Sequence, residues 1–305
     1  MAHEIRPAAF QEVIPRVLEN FRAPSIRTAS GNLNSVVIIN EELVVKTPRS
    51  ASLSHLGALD NERQALEYTE HIDVLPFVTP RLIDYSESPA YLVATYVPGD
   101  TLTPNTIQNL PTADYERLGK DLGTFITRQI VSAEEYDGGK GAPLLKHDDW
   151  PTIFKEYLKD FSNPNYPTLS LLAHKLYERY TTWAESDTQA LKVIHGDLTA
   201  ENITLQEGRL HGVFDFGRFH RGEVADDLSC LASVDPQLMR ICASELQSNG
   251  ISVDPEYALL WRELKDLHIL PYCINAVNTQ HPNFRAARAQ TTKRYPNLNW
   301  DELFR

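Results

Sequence analysis

Two neighbouring stretches of the chain read Val193-Ile194-His195-Gly196-Asp197-Leu198-Thr199-Ala200-Glu201-Asn202-Ile203 and Val213-Phe214-Asp215-Phe216-Gly217. Short runs of β-branched residues border both, so the pattern predicts small strands joined by polar turns. Two carboxylates and one amide lie in these turns, at Asp197, Asn202 and Asp215. The sequence therefore predicts a site at which these three side chains meet.

The three side chains suit one kind of chemistry. Phosphoryl transfer requires an acceptor hydroxyl that is positioned and deprotonated, together with magnesium held against the phosphates. Asp197 can accept the hydroxyl proton. Asn202 and Asp215 offer the hard oxygen ligands that Mg²⁺ prefers while it keeps water and phosphate oxygens.

At these residues the chain resembles the aminoglycoside phosphotransferase and choline kinase family, which has the protein-kinase-like fold. The matching features are the HGD motif, the Asn five residues after its Asp, and the DFG motif. The resemblance implies that Asp197 is the catalytic base, that Asn202 and Asp215 bind Mg²⁺, and that His195 supports the loop. The residues in and around both motifs are most similar to those of antibiotic phosphotransferases.

A third segment extends the resemblance. The run Gly222-Glu223-Val224-Ala225-Asp226-Asp227-Leu228 resembles the family segment in which an Asp begins the helix after the DFG motif. The resemblance implies that Asp227 supports the catalytic loop. The helix near residues 115–130 departs from the family, because it ends Thr127-Arg128-Gln129-Ile130 where relatives commonly have Leu-His.

Strand patterns dominate the chain before residue 98. Residues 8–22 carry the apolar stripe of an amphipathic helix, and Val36–Ile39 and Leu43–Lys46 predict an antiparallel hairpin. A helix is predicted from Leu59 to Ile72, and two further strands are predicted within residues 77–97. Pro98 and Gly99 then interrupt the pattern, so we expect residues 1–97 to form an amino-terminal nucleotide-binding lobe.

Helical patterns dominate residues 98–305, which we expect to form the catalytic and substrate-binding lobe. Helices are predicted near residues 115–130, 150–161, 168–186, 224–234, 236–249 and 255–270. Gly119 and Gly123 are four residues apart, where another helix could approach closely. The predicted fold class is α+β, a bilobal protein-kinase-like fold with a small antiparallel-sheet lobe and a larger, mostly helical one.

The amino-terminal lobe should bind the nucleotide. Lys46 ends a strand and is placed like the kinase lysine that pairs with the α and β phosphates, and Glu62 resembles its helix partner. Glu67 and Glu70 are alternatives to Glu62. The nucleoside triphosphate could be ATP or GTP, because the sequence does not distinguish them.

Two further nucleotide contacts follow from the resemblance. The phosphate-covering loop should lie near residues 30–35, where Gly31 and Ser35 are candidates although no GxGxxG motif is present. The segment Thr95-Tyr96-Val97 resembles the hinge whose backbone groups bind the base. No kinase APE motif follows the DFG motif, which argues against a peptide acceptor.

Composition excludes several other functions. The formal charge of −12 argues against nucleic-acid binding, and no apolar run is long enough for a membrane span. Three cysteines without CxxC spacing indicate neither a disulfide framework nor a zinc site. The first residues do not read as a secretory signal, so the sequence predicts a cytoplasmic location.

The expected acceptor is small and hydroxylated, and it could be cationic. Amines of such an acceptor could contact carboxylates near Asp197, and the candidates are Asp148, Asp149, Glu223, Asp226, Glu263 and Asp266. Most of these are interpreted as ordinary charges on helix surfaces. Three functions stay open: an O-phosphotransferase for an aminoglycoside or similar cationic antibiotic, a metabolic kinase for an amino alcohol, homoserine or sugar, and a nucleotide-binding pseudokinase.

Overall fold

The computed structural model describes residues 13–15, 17–19, 24–30, 34–50, 53–137, 154–156, 158–159, 167–186, 191–275 and 282–296. Its amino-terminal elements are strands β1 (Ile26–Ser30), β2 (Asn34–Ile39), β3 (Leu43–Pro48), β4 (Leu82–Glu87) and β5 (Ala90–Thr95), and helix α1 (Leu53–Thr69). The five strands form one antiparallel sheet in the order β1-β2-β3-β5-β4.

The predicted hairpin is confirmed as β2 and β3. Ile39 lies opposite Leu43, and the turn between them places Asn40 and Glu41 at φ values of 53° and 55°. Val36 pairs with Lys46 in the same register. Side chains alternate along a strand, so Lys46 lies on the sheet face opposite to that of Val45.

That other face is apolar. Val37, Ile39, Val45 and Val93 form a buried cluster there together with Val13. Ile14, Val17 and Leu18 pack against the cluster, so these members of the predicted amphipathic stripe cover the sheet. Phe10 and Phe21, the remaining members, lie outside the described residues. Lys46 is therefore directed away from this apolar layer.

The carboxy-terminal elements are mostly helical, as predicted. The helices are α2 (Pro104–Asn109), α3 (Thr112–Asp137), α4 (Pro167–Ser186), α5 (Val224–Val234), α6 (Pro236–Ser248), α7 (Pro255–Asn275) and α8 (Pro282–Arg294). The strands are β6 (Asp100–Thr101), β7 (Lys192–Ile194), β8 (Ile203–Gln206), β9 (Arg209–Val213) and β10 (His220–Gly222). Most of the predicted helix 150–161 lies outside the described residues.

Helix α3 packs closely on α6 through its two glycines. A Cβ atom at Gly119 would lie 2.6 Å from the Ile241 side chain, and one at Gly123 would lie 2.8 Å from the Cys242 carbonyl oxygen. Real Cβ atoms do not approach other atoms so closely. The predicted close approach of a second helix at these glycines is confirmed.

The short strands form two small sheets beside the helices. Strands β6, β8 and β9 form one, and β7 pairs antiparallel with β10 in the other. The pairing of Val78 with Gly212 joins the segment before β4 to β9, with the Val78 N–H 2.9 Å from the His211 carbonyl oxygen. These contacts fix the position of the small sheet that carries the candidate site.

One hydrophobic core extends through both halves of the described chain. It includes Leu66 and Leu92 from the amino-terminal half and Phe125 and Trp261 from the helical half. The division between residues 97 and 98 therefore stays a prediction. Cys230 and Cys242 are buried free thiols. Among the described helices, none combines the length and the apolar character that a membrane span requires.

Candidate active site

The β8–β9 hairpin brings Asn202 and Asp215 to one end of the small sheet. Ile203 pairs with Val213, so Asn202 lies one residue before the pair and Asp215 two residues after it. The Phe214 N–H donates to the Asn202 carbonyl oxygen at 3.0 Å, which continues the ladder by one step. The thirteen-residue interval between Asn202 and Asp215 is therefore the length of one hairpin.

The loop before this hairpin is fixed by helix α5. Asp227, in the first turn of α5, accepts the His195 N–H at 2.9 Å and the Gly196 N–H at 2.8 Å. Gly196 has a φ of +76°, and a Cβ atom there would lie 2.2 Å from the Arg218 carbonyl oxygen. Only glycine fits this position. The predicted support of the loop by Asp227 is confirmed.

His195 connects the loop to the DFG segment as a neutral imidazole. Its Nε2 lies 3.0 Å from the Phe214 carbonyl oxygen, and its Nδ1 lies 3.3 Å from the Asp197 main-chain nitrogen. A carbonyl can only accept and an N–H can only donate, so Nε2 carries the hydrogen. Burial lowers the pKa of His195 to about 4, which agrees with a neutral ring. The predicted supporting role of His195 is confirmed.

The neutral state of His195 predicts a loss of stability in mild acid. The unfolded chain takes up the histidine proton near pH 6.5, whereas the folded protein resists it to about pH 4. The stability that His195 contributes is thus complete above pH 6.5 and falls by up to about 3 kcal/mol as the pH drops towards 4. We expect the free energy of unfolding of a His195→Gln variant, measured by urea titration, to fall less than that of the wild type across this interval.

The matched control is His174→Gln, at an exposed histidine on α4. The unfolding free energy of the His174→Gln variant should change with pH as steeply as that of the wild type between pH 6.5 and 4. If the slope of His195→Gln also equalled that of the wild type, His195 would not be the group responsible.

Asp197 is largely buried and lies beside Asn202. The Asn202 Nδ2 donates to the main-chain oxygen of Asp197 at 2.9 Å and lies 3.4 Å from its Oδ2. Burial raises the pKa of Asp197, and Arg218 acts in the opposite direction. A carboxylate with a raised pKa is a stronger base, which suits proton transfer from a hydroxyl.

Lys46 connects the two halves of the site. Its Nζ lies 2.6 Å from the Glu62 Oε1 and 2.9 Å from the Asp215 Oδ1. Burial opposes the positive charge on Lys46, but the two carboxylates outweigh burial and raise its pKa. Of the three predicted helix partners, Glu62 makes this contact, whereas Glu67 pairs with Arg63 on the surface.

Asp215 holds an unusual backbone conformation. Its φ is 66° and its ψ is 62°, in the left-handed region where Asp and Asn are tolerated better than most residues. The Lys46 ammonium lowers the pKa of the Asp215 carboxyl, so this side chain is ionised. Nearly half of the side chain stays exposed, at 46%.

The oxygens at this end of the hairpin suit Mg²⁺. Asn202 uses its Nδ2 to bind Asp197, which leaves its Oδ1 as a possible ligand, and Asp215 presents an exposed carboxylate. Two protein ligands are sufficient for Mg²⁺, which keeps water and phosphate oxygens. The described residues contain no cluster of three or more His, Cys, Asp or Glu side chains that could hold a metal. The donor set therefore suits a nucleotide-bound magnesium ion rather than zinc.

The hinge candidates lie where β5 ends. The Thr95 Oγ1 accepts the Arg81 N–H at 2.8 Å, and the Tyr96 N–H donates to the Glu42 carbonyl oxygen at 2.7 Å. The buried Val97 side chain packs against β9, because a Cβ at Gly212 would lie 2.5 Å from it. These contacts hold the segment between the sheet and β9.

The phosphate-loop candidates are less completely described. Ser35 pairs with Ser30 and Thr47 and shares the sheet face of Val37, opposite to that of Lys46. The Ser35 hydroxyl is thus directed away from the face that carries Lys46. Gly31 lies outside the described residues.

Gln129 is a supporting residue whose role was not predicted. It is buried in α3, and its Nε2 donates to the Val193 carbonyl oxygen at 3.0 Å, two residues before His195. Its Oε1 is buried without a hydrogen-bond partner in the described structure. One feature of the sequence could have indicated this role: Gln129 lies in the segment that departs from the family's common Leu-His. Its side-chain amide supplies the donor for the Val193 carbonyl oxygen.

We expect Gln129→Leu to lose about 1–3 kcal/mol of unfolding free energy, because the Val193 carbonyl would be buried without a donor. Gln129→His should recover part of this loss by offering a ring N–H. Urea titration measures both variants. Gln64→Leu is the control, since the Gln64 amide donates to Asp60 on the same helix at 2.7 Å. A Gln129→Leu protein as stable as the wild type would show that the hydrogen bond to Val193 makes no net contribution to the free energy of unfolding.

The comparisons with known proteins agree on the fold. A sequence model described as the phosphotransferase enzyme family matches residues 26–265. The GDP complex of aminoglycoside 2'-phosphotransferase-IIIa superposes with a TM-score of 0.76 at 14% identity, covering 94% of this chain and 98% of that one. The streptomycin-ATP-APH(2")-IIa ternary complex gives 0.67 at 20% identity, with 96% and 97% covered.

A structure from another kinase family also has this fold. The choline/ethanolamine kinase family protein from Mesorhizobium loti superposes with a TM-score of 0.62 at 16% identity, covering 97% of this chain and 98% of that one. Among curated protein sequences, none matches the chain. At these identities the solved structures establish the shared bilobal, kinase-like α+β fold.

Proposed function

The chain belongs to the phosphotransferase enzyme family and acts on hydroxyl groups of small molecules, and from this premise we propose that it uses the residues of the candidate site to transfer the γ-phosphoryl group of ATP or GTP. The observation that carries the proposal is the contact of Lys46 with both Glu62 and Asp215. This contact brings the lysine proposed to bind phosphate next to the carboxylate proposed to bind the metal. A nucleotide co-substrate agrees with the GDP and ATP complexes among the similar structures.

Each side chain has a distinct role in the proposal. Lys46 binds the α and β phosphates, held in place by Glu62, and the backbone of Thr95–Val97 binds the base. Asp197 accepts the proton of the acceptor hydroxyl. Asn202 and Asp215 would hold Mg²⁺, which neutralises charge on the phosphates when it is bound. Gly31 and Ser35 are proposed contacts of the phosphate-covering loop.

Two classes of acceptor have support. The sequence motifs and the two aminoglycoside phosphotransferase structures favour an aminoglycoside or similar cationic antibiotic. The choline/ethanolamine kinase family structure favours an amino alcohol. Both classes would use the same base and the same metal ligands, so the acceptor pocket distinguishes them.

The test is acceptor-dependent release of nucleoside diphosphate, measured with Mg²⁺ and either ATP or GTP. The acceptors are aminoglycosides, macrolides, choline, homoserine and simple sugars, and mass spectrometry should find a product heavier by one phosphoryl group. Turnover on any of these supports the proposal. Nucleotide binding with no turnover on any acceptor would contradict it.

A further inference from the structure

Two of the carboxylates considered for acceptor amines form ion pairs inside the described part of the chain. Asp226 pairs with Lys265. Asp266 pairs with Arg262 and Arg294. The interpretation of Asp226 and Asp266 as helix-surface charges was wrong, because the packing of α7 on α5 and α8 buries both. An acceptor amine that bound either carboxylate would have to compete with a cation of the chain.

Two further candidates also interact with other residues. Glu263 accepts the Tyr295 hydroxyl at 2.9 Å. Glu223 is half-buried at the start of α5, and its charge adds to the effect of burial in raising the pKa of Tyr257. The remaining two candidates, Asp148 and Asp149, lie outside the described residues.

A different carboxylate, that of Glu201, lies on the catalytic loop between Asp197 and Asn202. The Thr199 N–H donates to the Asp197 carbonyl oxygen at 2.7 Å, and the Asn202 N–H donates to the Thr199 carbonyl oxygen at 3.0 Å. Residues Ala200–Asn202 form one turn of 3₁₀ helix. Because these hydrogen bonds close the turn, Glu201 has a fixed position near the proposed base.

The two neighbours of Glu201 are directed into the protein. Ala200 is 8% exposed and belongs to the hydrophobic core, and Asn202 is 7% exposed and donates to Asp197. Side chains of a 3₁₀ helix lie about 120° apart around its axis, since the helix has three residues per turn. Two of the three directions face the protein, so the Glu201 side chain leaves the loop on its solvent side, where it is exposed.

The Glu201 carboxylate is available to a ligand. It takes part in no hydrogen bond or ion pair within the residues that the structure describes. Glu178 is exposed as well, but it lies on α4, which carries none of the proposed catalytic or metal-binding residues. Glu201 instead adjoins Asn202 and follows Asp197 by four positions. Its place on the loop distinguishes it from an ordinary surface charge.

An acceptor bound at Asp197 would therefore meet a second negative charge at Glu201. A carboxylate binds an ammonium group by a charge-assisted hydrogen bond, which strengthens where the bound acceptor displaces water. A molecule with an amino group near its hydroxyl can thus attach to the loop at two points. Attachment at two points holds the hydroxyl in position for proton transfer to the base.

We propose that Glu201 binds the ammonium group of the acceptor and thereby places a neighbouring hydroxyl at Asp197. The acceptors are then amino alcohols, a class that includes amino sugars. The inference rests on the proposed function and narrows its acceptor class. It follows from an exposed carboxylate without a partner in the described structure, held at a fixed position in the catalytic loop.

The first test compares Glu201→Gln with the wild type on ethanolamine, glucosamine and an aminoglycoside. We expect kcat/KM, measured by nucleoside diphosphate release, to fall about tenfold, mainly through KM, because a charge-assisted hydrogen bond is lost. Glu201→Asp keeps the charge and should retain more activity than Glu201→Gln. Glu207→Gln is the control and should match the wild type, since Glu207 is an exposed carboxylate in the turn at the opposite end of the β8–β9 hairpin.

Neutral acceptors distinguish the loss of a charge contact from damage to the loop. Ethylene glycol, glucose and the N-acetylated aminoglycoside keep hydroxyl groups but lack the ammonium groups. Glu201→Gln should change kcat/KM for these acceptors by less than about twofold. Raised ionic strength should reduce the preference of the wild type for the amines, because salt screens the attraction between exposed charges.

The outcomes for the inference and for the proposed function differ. The inference would be overturned if Glu201→Gln kept the wild-type kcat/KM for amines, or lost equally on amines and neutral acceptors. Wild-type turnover confined to acceptors without an amino group would also overturn it and leave phosphoryl transfer intact. Absence of turnover on every acceptor would contradict the proposed function. Calorimetric titration of the amines, with magnesium nucleotide present, would then test Glu201 alone, and equal affinities of wild type and Glu201→Gln would overturn the inference.

Discussion

Asp197→Ala is expected to lose about a thousandfold in kcat while it binds nucleotide as tightly as the wild type. General-base catalysis contributes about 10²–10⁴-fold, so the loss should fall within this range. The nucleotide site should survive, because Asn202 is held by the main-chain oxygen of Asp197, which alanine keeps. The contacts of Lys46 with Glu62 and Asp215 do not involve residue 197.

Two measurements distinguish a role of Asp197 in catalysis from a role in nucleotide binding. Nucleoside diphosphate release gives kcat, and calorimetric titration gives the dissociation constant of the magnesium nucleotide. Asp84→Ala is the control, since Asp84 is an exposed carboxylate on β4 that accepts hydrogen bonds from the Tyr85 N–H and the Tyr91 hydroxyl. A loss of nucleotide affinity as large as the loss of turnover would show that Asp197 acts on the nucleotide and not on the acceptor.

Local patterns were sufficient to predict the elements that carry the site. The β-branched runs of β2 and β3 and the hairpin of β8 and β9 are confirmed, because a polar turn between two strand-forming runs has few alternatives. The boundaries were less accurate: α1 begins at Leu53 rather than Leu59. Strands β6 and β10 have only two or three residues, which is too short for any periodic pattern to indicate them.

Contacts between distant residues were the part that sequence reasoning missed. Asp226 and Lys265 are 39 positions apart and meet only because α5 packs on α7. Nothing in the local sequence of either helix indicates that pairing, and each residue alone resembles a solvated surface charge. The pairing of Lys46 with Asp215, 169 positions apart, was not predicted either, although the family resemblance had assigned each residue to the nucleotide and metal site.

The same contacts link stability to catalysis at Lys46. The Glu62 side chain is 4% exposed and that of Lys46 is 12% exposed. Each buried charge is therefore stabilised by the opposite charge of the other residue. Removing one member of a buried ion pair costs more than the pair itself contributes. Lys46, the proposed phosphate-binding residue, is therefore already held in position by Glu62 and Asp215, so little side-chain ordering would remain to oppose nucleotide binding.

Asp215→Asn is expected to abolish the magnesium dependence of nucleotide binding. The amide removes the negative charge that a divalent cation requires, but it keeps the size of the side chain and tolerates the φ of 66°. Alanine would add backbone strain of about 1–2 kcal/mol, so Asn is the cleaner substitution. The nucleotide dissociation constant, measured over a magnesium titration, should lose its wild-type decrease, and turnover should fall at least about a hundredfold.

Glu62→Gln is the matched variant, because it also removes a carboxylate from Lys46 but leaves both proposed metal ligands in place. If Asp215 acts through the metal, Glu62→Gln weakens nucleotide binding yet keeps the response to magnesium. If Asp215 acts only by holding Lys46, the two variants respond to magnesium alike, and a wild-type titration curve for Asp215→Asn would show the metal assignment to be wrong. The exposed side chain of Asp215 favours the first result, because nearly half of this carboxylate side chain stays accessible to a metal ion while Oδ1 accepts from Lys46.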